Sequence, residues 1–402
     1  MSDKIRVGII GASPDRGWAA TAHIPALRSL PEYELTAVGT SRAASARQAA
    51  ARFGAAHWFT DAEQLAGDPD VDLVVITVKV PFHRELTEAA LGAGKHVLVE
   101  WPLARTTEEA EGLARLAARA GVRHAVGLQA RFAPAVNYAR ELIAGGYVGR
   151  VTSANVLVAR GKGAAAAMPG WTAYTLNRDN GAGVLEVSGG HTLDALEYVT
   201  GGRLTGVSAR LSVQRPAYTI EGTGERAEVT SPDQILLHAA LDSGAMVSAH
   251  IHDAKLTSGR TRLEIAGTDG DLVIETTGAQ AQMGIQISDL RLAGSRGPGG
   301  TYQDLTVPDR FRHAPAGLPA DAVLNVAELY ARLARDIRDG GSGDSGPNYS
   351  GPNHSSPNHS DPDHSSPNHS SPASVPDFGD AIRAHRLLDA IRSSRQNGDQ
   401  PG

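Results

Sequence analysis

Two glycines bracket a short segment after the first apolar run of the sequence. The run at residues 5–10 leads into GASPDRGW, residues 11–18, and a helical pattern follows. Glycine permits a tight bend, and the N-terminus of the next helix offers free N–H groups to a phosphate. Ser13 stands where the usual second glycine would be, and the loop is one residue longer than GxGxxG. This predicts a dinucleotide site at Gly11, Ser13, Gly17 and Trp18, with an ordinary strand–helix loop as the alternative.

The end of the second apolar run bears on which dinucleotide binds. The chain reads VGTSR at residues 38–42, without the Asp or Glu that usually binds the ribose hydroxyls of NAD. Ser41 and Arg42 can instead hold a 2′-phosphate by a hydrogen bond and by charge. We therefore expect NADP to be favoured, with NAD possible. The alternative is that Arg42 only begins a solvated helical turn.

Three further side chains are candidates for proton chemistry beside such a cofactor. His191 begins a helical pattern, and histidine has an ordinary pKa of about 6.5. Lys79 follows the run VDLVVITV, at the sheet edge where open α/β folds bind ligands. Tyr174 lies near Trp171 in a loop before His191 and can line a pocket. The alternatives are a hydrogen-bonded histidine at a helix start, a surface lysine and aromatic core packing.

The pattern of elements predicts two domains. Apolar runs alternate with helical patterns in the first third, which is typical of a doubly wound parallel sheet. Longer runs rich in Val, Thr, Leu and Ile follow between residues 151 and 292, and glycine turns separate some of them. We therefore expect an α/β Rossmann domain at residues 1–128. An α+β domain with a large, mostly antiparallel open sheet should follow at residues 129–402.

Composition narrows the classes of function. The 402 residues contain 38 Lys+Arg and 44 Asp+Glu, a net charge of −6 that disfavours direct nucleic-acid binding. The absence of cysteine excludes disulfides and thiolate metal sites, and we expect no metal. Neither a signal peptide nor an apolar run long enough to span a membrane is visible. These features predict a cytoplasmic protein without a membrane partner.

A low-complexity segment interrupts the second domain. Residues 346–370 repeat the pentapeptides GPNYS, GPNHS, SPNHS, DPDHS and SPNHS. Proline at every fifth residue is incompatible with a helix or a central strand, so we predict a disordered loop at about residues 340–375. The histidine at position four of each later repeat suggests metal binding, but a solvated loop is the favoured interpretation because nothing would preorganise the ligands.

Several segments together resemble one family. GKHVLVEWPL, residues 94–103, is similar to the signature aGKHVlcEKPla of the Gfo/Idh/MocA oxidoreductases, the relatives of glucose–fructose oxidoreductase and inositol dehydrogenase. His83 matches the histidine of the family's "tPn..H" motif. Residues 131–134, 143–149, 181–194 and 376–381 match further segments, so the resemblance spans almost the whole chain apart from the repeats.

The resemblance implies a bound NAD or NADP and a reaction at a carbinol or carbonyl of a sugar-like or polyol substrate. It also implies a homo-oligomer formed through the C-terminal sheet. It adds the following candidate cofactor residues: Val78, His83, Glu100, Trp101, Pro102 and Gln129.

Two positions depart from the family pattern. The catalytic lysine of the EKP motif is Trp101, and the aspartate four residues before the family's histidine is Val187, so only His191 remains. The EWP variant points to a branch that resembles the fungal galactose-regulon repressor. Two hypotheses follow: an NAD(P)-dependent oxidoreductase with His191 as acid/base, which we place ahead, or a catalytically silent dinucleotide-binding regulator with a possible protein partner.

Overall fold

The computed structural model describes residues 4–161, 165, 167–319, 321–339 and 374–394. The pentapeptide segment and the loop predicted around it lie outside these residues. Within the described ranges, every helix is too short or too polar to cross a membrane.

The first sheet contains six parallel strands in the order β3-β2-β1-β4-β5-β6. Strand order reverses at β1, so the carboxyl ends of β1 and β4 flank a crevice suited to a ligand. All four residues of β4 are buried, as expected for a strand covered by helices on both faces. The doubly wound Rossmann sheet is thereby confirmed. Its strands are β1 (Ile5–Ile10), β2 (Tyr33–Gly39), β3 (His57–Phe59), β4 (Leu73–Ile76), β5 (His96–Glu100) and β6 (His124–Gly127).

Local sequence signals fix the helices between these strands. The Thr106 side chain accepts a hydrogen bond from the Glu109 amide at the start of α5, and Gly121 ends that helix with a φ of 65°. A wider, π-helical turn at Ala19–His23 precedes the first helix. The helices are α1 (Ile24–Ser29), α2 (Ala43–Phe53), α3 (Ala62–Gly67), α4 (His83–Gly92) and α5 (Thr107–Ala120).

The second sheet contains eight strands in the order β17-β16-β15-β14-β7-β13-β12-β9. Only β7 and β13 pair in parallel within it, so the expected mostly antiparallel sheet is confirmed. Three short strands, β8, β10 and β11, form a separate small sheet. The strands are β7 (Val151–Ala159), β8 (Ala167–Met168), β9 (Leu204–Ser212), β10 (Ala217–Ile220), β11 (Arg226–Glu228), β12 (Gln234–Leu241), β13 (Met246–His252), β14 (Arg260–Gly267), β15 (Gly270–Thr277), β16 (Asp289–Arg296) and β17 (Gln303–Asp304).

Among the described residues, helices cover one face of this sheet and leave the other open. Ile235 and Leu237 of β12 are buried in a core that also contains Leu196 and Leu388. Leu236, which lies between them, is 51% exposed because successive side chains point to opposite faces. The helices that follow β6 are α6 (Pro134–Ala144), α7 (Gly190–Thr200), α8 (Ala322–Arg338) and α9 (Phe378–Ser394).

The last two helices return to the Rossmann domain. Tyr330 of α8 is fully buried in a core shared with Ile24 and Tyr33. The Phe378 ring at the start of α9 lies 4.6 Å from the ring of His124 in β6. The C-terminal helices α8 and α9 therefore pack against the Rossmann domain. The division of the chain at residue 128 remains a prediction.

Candidate functional site

The glycine turn closes the carboxyl end of β1. Gly11 and Gly17 have φ values of 100° and 101°, a region that favours glycine. The Gly11 amide donates to the Gly39 carbonyl at 2.9 Å, which ties the turn to the end of β2. A Cβ at Gly11 would lie 2.8 Å from Thr77 Oγ1, so only glycine lets the chain pass this close to the end of β4.

Two residues at the carboxyl edge of the Rossmann sheet contain polar atoms with unused hydrogen-bonding capacity. Trp18 Nε1 follows the turn, and Gln129 Oε1 follows β6. Both atoms are buried and have no hydrogen-bond partner among the described residues. A free donor and a free acceptor at the carboxyl edge of a Rossmann sheet suit the phosphate and amide groups of a dinucleotide. The residues present therefore fit such a cofactor.

A buried polar chain supports Glu100 at the end of β5. Gln129 Nε2 donates to both carboxylate oxygens, at 2.8 and 2.6 Å. His23 Nε2 contacts Glu100 Oε1 at 2.9 Å, while His23 Nδ1 contacts the Tyr330 hydroxyl at 2.7 Å. Burial raises the Tyr330 pKa well above its ordinary value, so the hydroxyl keeps its proton and can donate it to Nδ1. The sequence analysis missed His23 and Tyr330, since their partners lie far away in the chain.

Ser41 and Arg42 lie at the carboxyl end of β2. Both are exposed, directly after β2 and at the start of α2. The Gly11–Gly39 hydrogen bond places this strand end beside the glycine turn. The guanidinium is therefore free to approach a ribose phosphate from solvent, and preference for NADP stays a prediction.

His83 joins the two loops that follow β4 and β5. Its Nδ1 lies 2.8 Å from the Pro102 carbonyl oxygen, and its Nε2 lies 3.0 Å from the Val78 carbonyl oxygen. Burial lowers the pKa of this histidine, which leaves a neutral ring with a proton on one nitrogen. The neutral ring donates to only one of these two carbonyl oxygens, and it packs between the two loops. Direct cofactor contact by His83, Val78 or Pro102 remains a prediction.

Trp101 places a buried indole at the end of β5. Its Nε1 donates to the Glu186 carbonyl oxygen at 2.9 Å. Its ring centroid lies 4.9 Å from that of His385 in α9. The side chain therefore joins β5 to the second domain and has its one donor in use.

His191 lies in α7, directly after Gly190, the residue against which Trp101 packs. Its Nδ1 is buried without a hydrogen-bond partner among the described residues. Burial, with a smaller contribution from the positive charge of Arg160, lowers the His191 pKa to about 3. The ring is therefore neutral near pH 7 and keeps one nitrogen available for a ligand.

A cavity of about 270 Å³, which we call the junction cavity, lies beside this segment. The Lys79 Nζ, exposed after β4, lies 5.0 Å from the ring centroid of Tyr174 in the cavity wall. Burial raises the Tyr174 pKa, so its hydroxyl stays protonated. Trp171 is 53% exposed, which excludes core packing for that residue. The cavity wall includes Arg160, Trp171, Tyr174, Val187, Ser231 and Asp253.

One group of potential metal-binding side chains, His57, Asp68 and Asp70, occurs elsewhere on the Rossmann domain. His57 Nδ1 already contacts Asp68 Oδ2 at 2.5 Å, and Asp70 forms an ion pair with Arg6 at 2.7 Å. These contacts explain why His57, Asp68 and Asp70 lie close together without a metal ion.

Two family models cover most of the described chain. Residues 5–128 match the Gfo/Idh/MocA model, described as an oxidoreductase family with an NAD-binding Rossmann fold. Residues 134–276 match the model of the Gal80p C-terminal domain.

Curated relatives include both a dehydrogenase and a regulator. Dehydrogenase aclE from Aspergillus oryzae is 36% identical over 251 residues, covering 60% of this chain and 68% of that protein. The galactose/lactose metabolism regulatory protein GAL80 from Saccharomyces cerevisiae is 29% identical over 298 residues, covering 67% of this chain and 66% of that protein. The chain thus spans about two thirds of the length of these relatives.

The overall fold matches a solved structure of the regulator. A super-repressor mutant of Gal80p from Saccharomyces cerevisiae aligns with a TM-score of 0.79 and 24% identity, covering 98% of this chain and 97% of that chain. At this identity the match supports the fold. The family models and the relatives show that the chain belongs to the Gfo/Idh/MocA oxidoreductase family and carries a Gal80p-like C-terminal domain.

Proposed function

We propose that this chain is an NAD(P)-dependent oxidoreductase that acts on a carbinol or carbonyl of a sugar-like or polyol ligand. The observation that carries the proposal is the free, buried Nδ1 of His191, one helical turn beyond Val187 of the junction cavity. The cofactor, when bound, supplies or accepts the hydride. We assign dinucleotide binding to the glycine turn, Trp18 and Gln129, and the preference for NADP to Ser41 and Arg42.

His191 is the proposed proton-accepting group. An unprotonated Nδ1 can accept a hydrogen bond from a carbinol and take its proton as the carbinol is oxidised. Burial lowers the pKa of the ring to about 3, so the ring is uncharged near neutral pH and one of its two nitrogens carries no proton. The same burial makes the ring a weak base in the ligand-free protein, so the assignment depends on the kinetics of His191→Ala. Lys79 and Tyr174 remain secondary candidates, since Lys79 packs over the tyrosine ring at the cavity wall.

A catalytically silent dinucleotide-binding regulator is the second candidate. The observation in its favour is Trp101, which replaces the family's amine with a buried indole whose N–H is bonded to Glu186. In that case the open face of the eight-stranded sheet, with exposed Leu236 and Met246, can serve self-association or a protein partner. Self-association through this face is also our proposal for the enzyme.

Binding and turnover measured on one preparation distinguish the two candidates. Calorimetry with NADP(H) and NAD(H) measures cofactor affinity, and absorbance at the reduced-nicotinamide band measures turnover with a panel of sugars and ketoses. An enzyme should turn over, and His191→Ala should lower kcat by about 10²- to 10⁴-fold. Stoichiometric cofactor binding without turnover would favour the regulator. Wild-type turnover that is unchanged in His191→Ala would remove the catalytic assignment.

A further inference from the structure

Two charged side chains of the junction cavity are held just beyond hydrogen-bond distance. Arg160 Nε lies 3.6 Å from Asp253 Oδ1, whereas N–H···O bonds measure about 2.7–3.2 Å. Both atoms are buried, and neither has a hydrogen-bond partner among the described residues. A buried donor and a buried acceptor left in this way normally bond to a water or a ligand.

Neighbouring side chains hold Arg160 in place and add a further polar atom to the cavity. The Arg160 guanidinium donates through Nη1 to the Ser188 hydroxyl, which fixes its position. Ser231, only 5% exposed, contributes a third unpartnered atom, Oγ, to the same cavity. The Asp233 carboxylate, by contrast, accepts from the backbone amides of Gln214 and Arg215 at 2.8 and 2.9 Å, so its oxygens already serve the fold.

A hydroxyl group is the simplest group that satisfies the pair, because its oxygen can accept from Arg160 and its hydrogen can bond to Asp253. A carbonyl group can satisfy only the arginine. A carboxylate would add a negative charge next to Asp253 and Asp233, which both line the cavity. The pair therefore favours an uncharged ligand that carries hydroxyl groups.

We propose that Arg160 and Asp253 bind a ligand hydroxyl in the junction cavity, with Ser231 as an additional partner, and select a neutral polyhydroxy compound over the corresponding acid. Asp253 thus supplies a carboxylate to the same cavity that Val187 lines. The inference rests on the proposed function for the location of the ligand, but it does not require turnover.

Calorimetry with D-glucose and D-glucuronate, which share one ring and differ in a carboxylate, tests this selectivity on NADP-saturated protein. We expect D-glucose to bind at least tenfold more tightly than D-glucuronate. Equal binding of the two compounds, or no binding of D-glucose, would overturn the proposal.

Two variants test the residues themselves. Asp253→Glu keeps the charge but extends the carboxylate towards Arg160, and should weaken D-glucose binding by about 10- to 100-fold, the effect of losing a charged hydrogen-bond partner. Ser231→Ala removes a hydroxyl that has no partner in the described fold and should weaken binding by about 3- to 10-fold. Asp304→Glu makes the same change at an exposed carboxylate on β17 and is the matched control.

The outcomes separate this inference from the proposed function. If Asp253→Glu abolishes D-glucose binding and the wild type shows no turnover, the inference is supported and the proposed oxidoreductase function is rejected. If Asp253→Glu binds D-glucose as tightly as the wild type and still shows turnover, the inference is rejected and the proposed function stands.

Discussion

The indole of Trp101 lies directly on the backbone of Gly190. A Cβ built at residue 190 would lie 2.5 Å from Trp101 Nε1 and 2.8 Å from two further ring atoms. The two residues are 89 positions apart in the chain. The rigid, buried ring of Trp101 leaves no room for a side chain at residue 190, at the start of α7, so this position requires glycine. The Trp101 indole is therefore part of the packing between β5 and α7.

Gly190→Ala should destabilise the protein by about 1–3 kcal/mol, since the added methyl group must displace the indole or the helix. Denaturant unfolding monitored by circular dichroism measures the change. Gly112→Ala in α5 is the control, because its nearest neighbour is a flexible arginine atom at 3.9 Å and alanine favours the helix. Equal stability of Gly190→Ala and the wild type would show that this contact is not tight in solution.

Arg42→Ala should weaken NADP binding by about 1–3 kcal/mol and leave NAD binding almost unchanged, because only NADP carries the phosphate that the guanidinium would bind. Calorimetric titration with both cofactors provides the comparison. Arg47→Ala removes an arginine of the same helix that packs over Trp58, and should affect neither cofactor selectively. Equal losses for NADP and NAD in Arg42→Ala would remove the assignment.

The depressed His191 pKa predicts acid sensitivity with a defined sign. The unfolded histidine binds a proton near pH 6.5 and the folded one only near pH 3, so the unfolded state binds more protons between these values. Stability from this group is present above about pH 6.5 and falls by up to about 1.4 kcal/mol per unit as the pH drops towards 3. His191→Gln should flatten the unfolding free energy between pH 6.5 and 4. His385, with a pKa lowered to about 4 by burial, retains part of the slope, and a profile parallel to the wild type would contradict the prediction.

Tyr330→Phe should cost about 1–3 kcal/mol of stability, because it leaves the buried His23 Nδ1 without its partner. Thermal unfolding measures the effect. Tyr302→Phe, at an exposed position, is the control and should stay within about 0.5 kcal/mol of the wild type. A neutral Tyr330→Phe variant would show that the contact with His23 does not stabilise the fold.

The sequence by itself determined the fold class and the position of the glycine turn. Periodicity and turn residues are local signals, so the alternating first third and the β-rich runs between residues 151 and 292 both correspond to observed elements. Such signals do not account for every element. β3 has three residues, none of them fully buried, and becomes a strand by pairing with β2.

The tertiary structure alone decided how the site is assembled. From the sequence, Trp101 and Val187 were predicted to depart from a family motif and His191 to match it. The sequence did not indicate that the Trp101 indole packs on Gly190. It gave no indication of the chain from Tyr330 through His23 to Glu100, or of Arg160 opposite Asp253. Each of these contacts joins residues more than 70 positions apart, and their chemistry depends on burial and on distances of a few ångströms. Such distances are set by the packing of whole helices and strands. A local pattern in a single sequence does not contain this information.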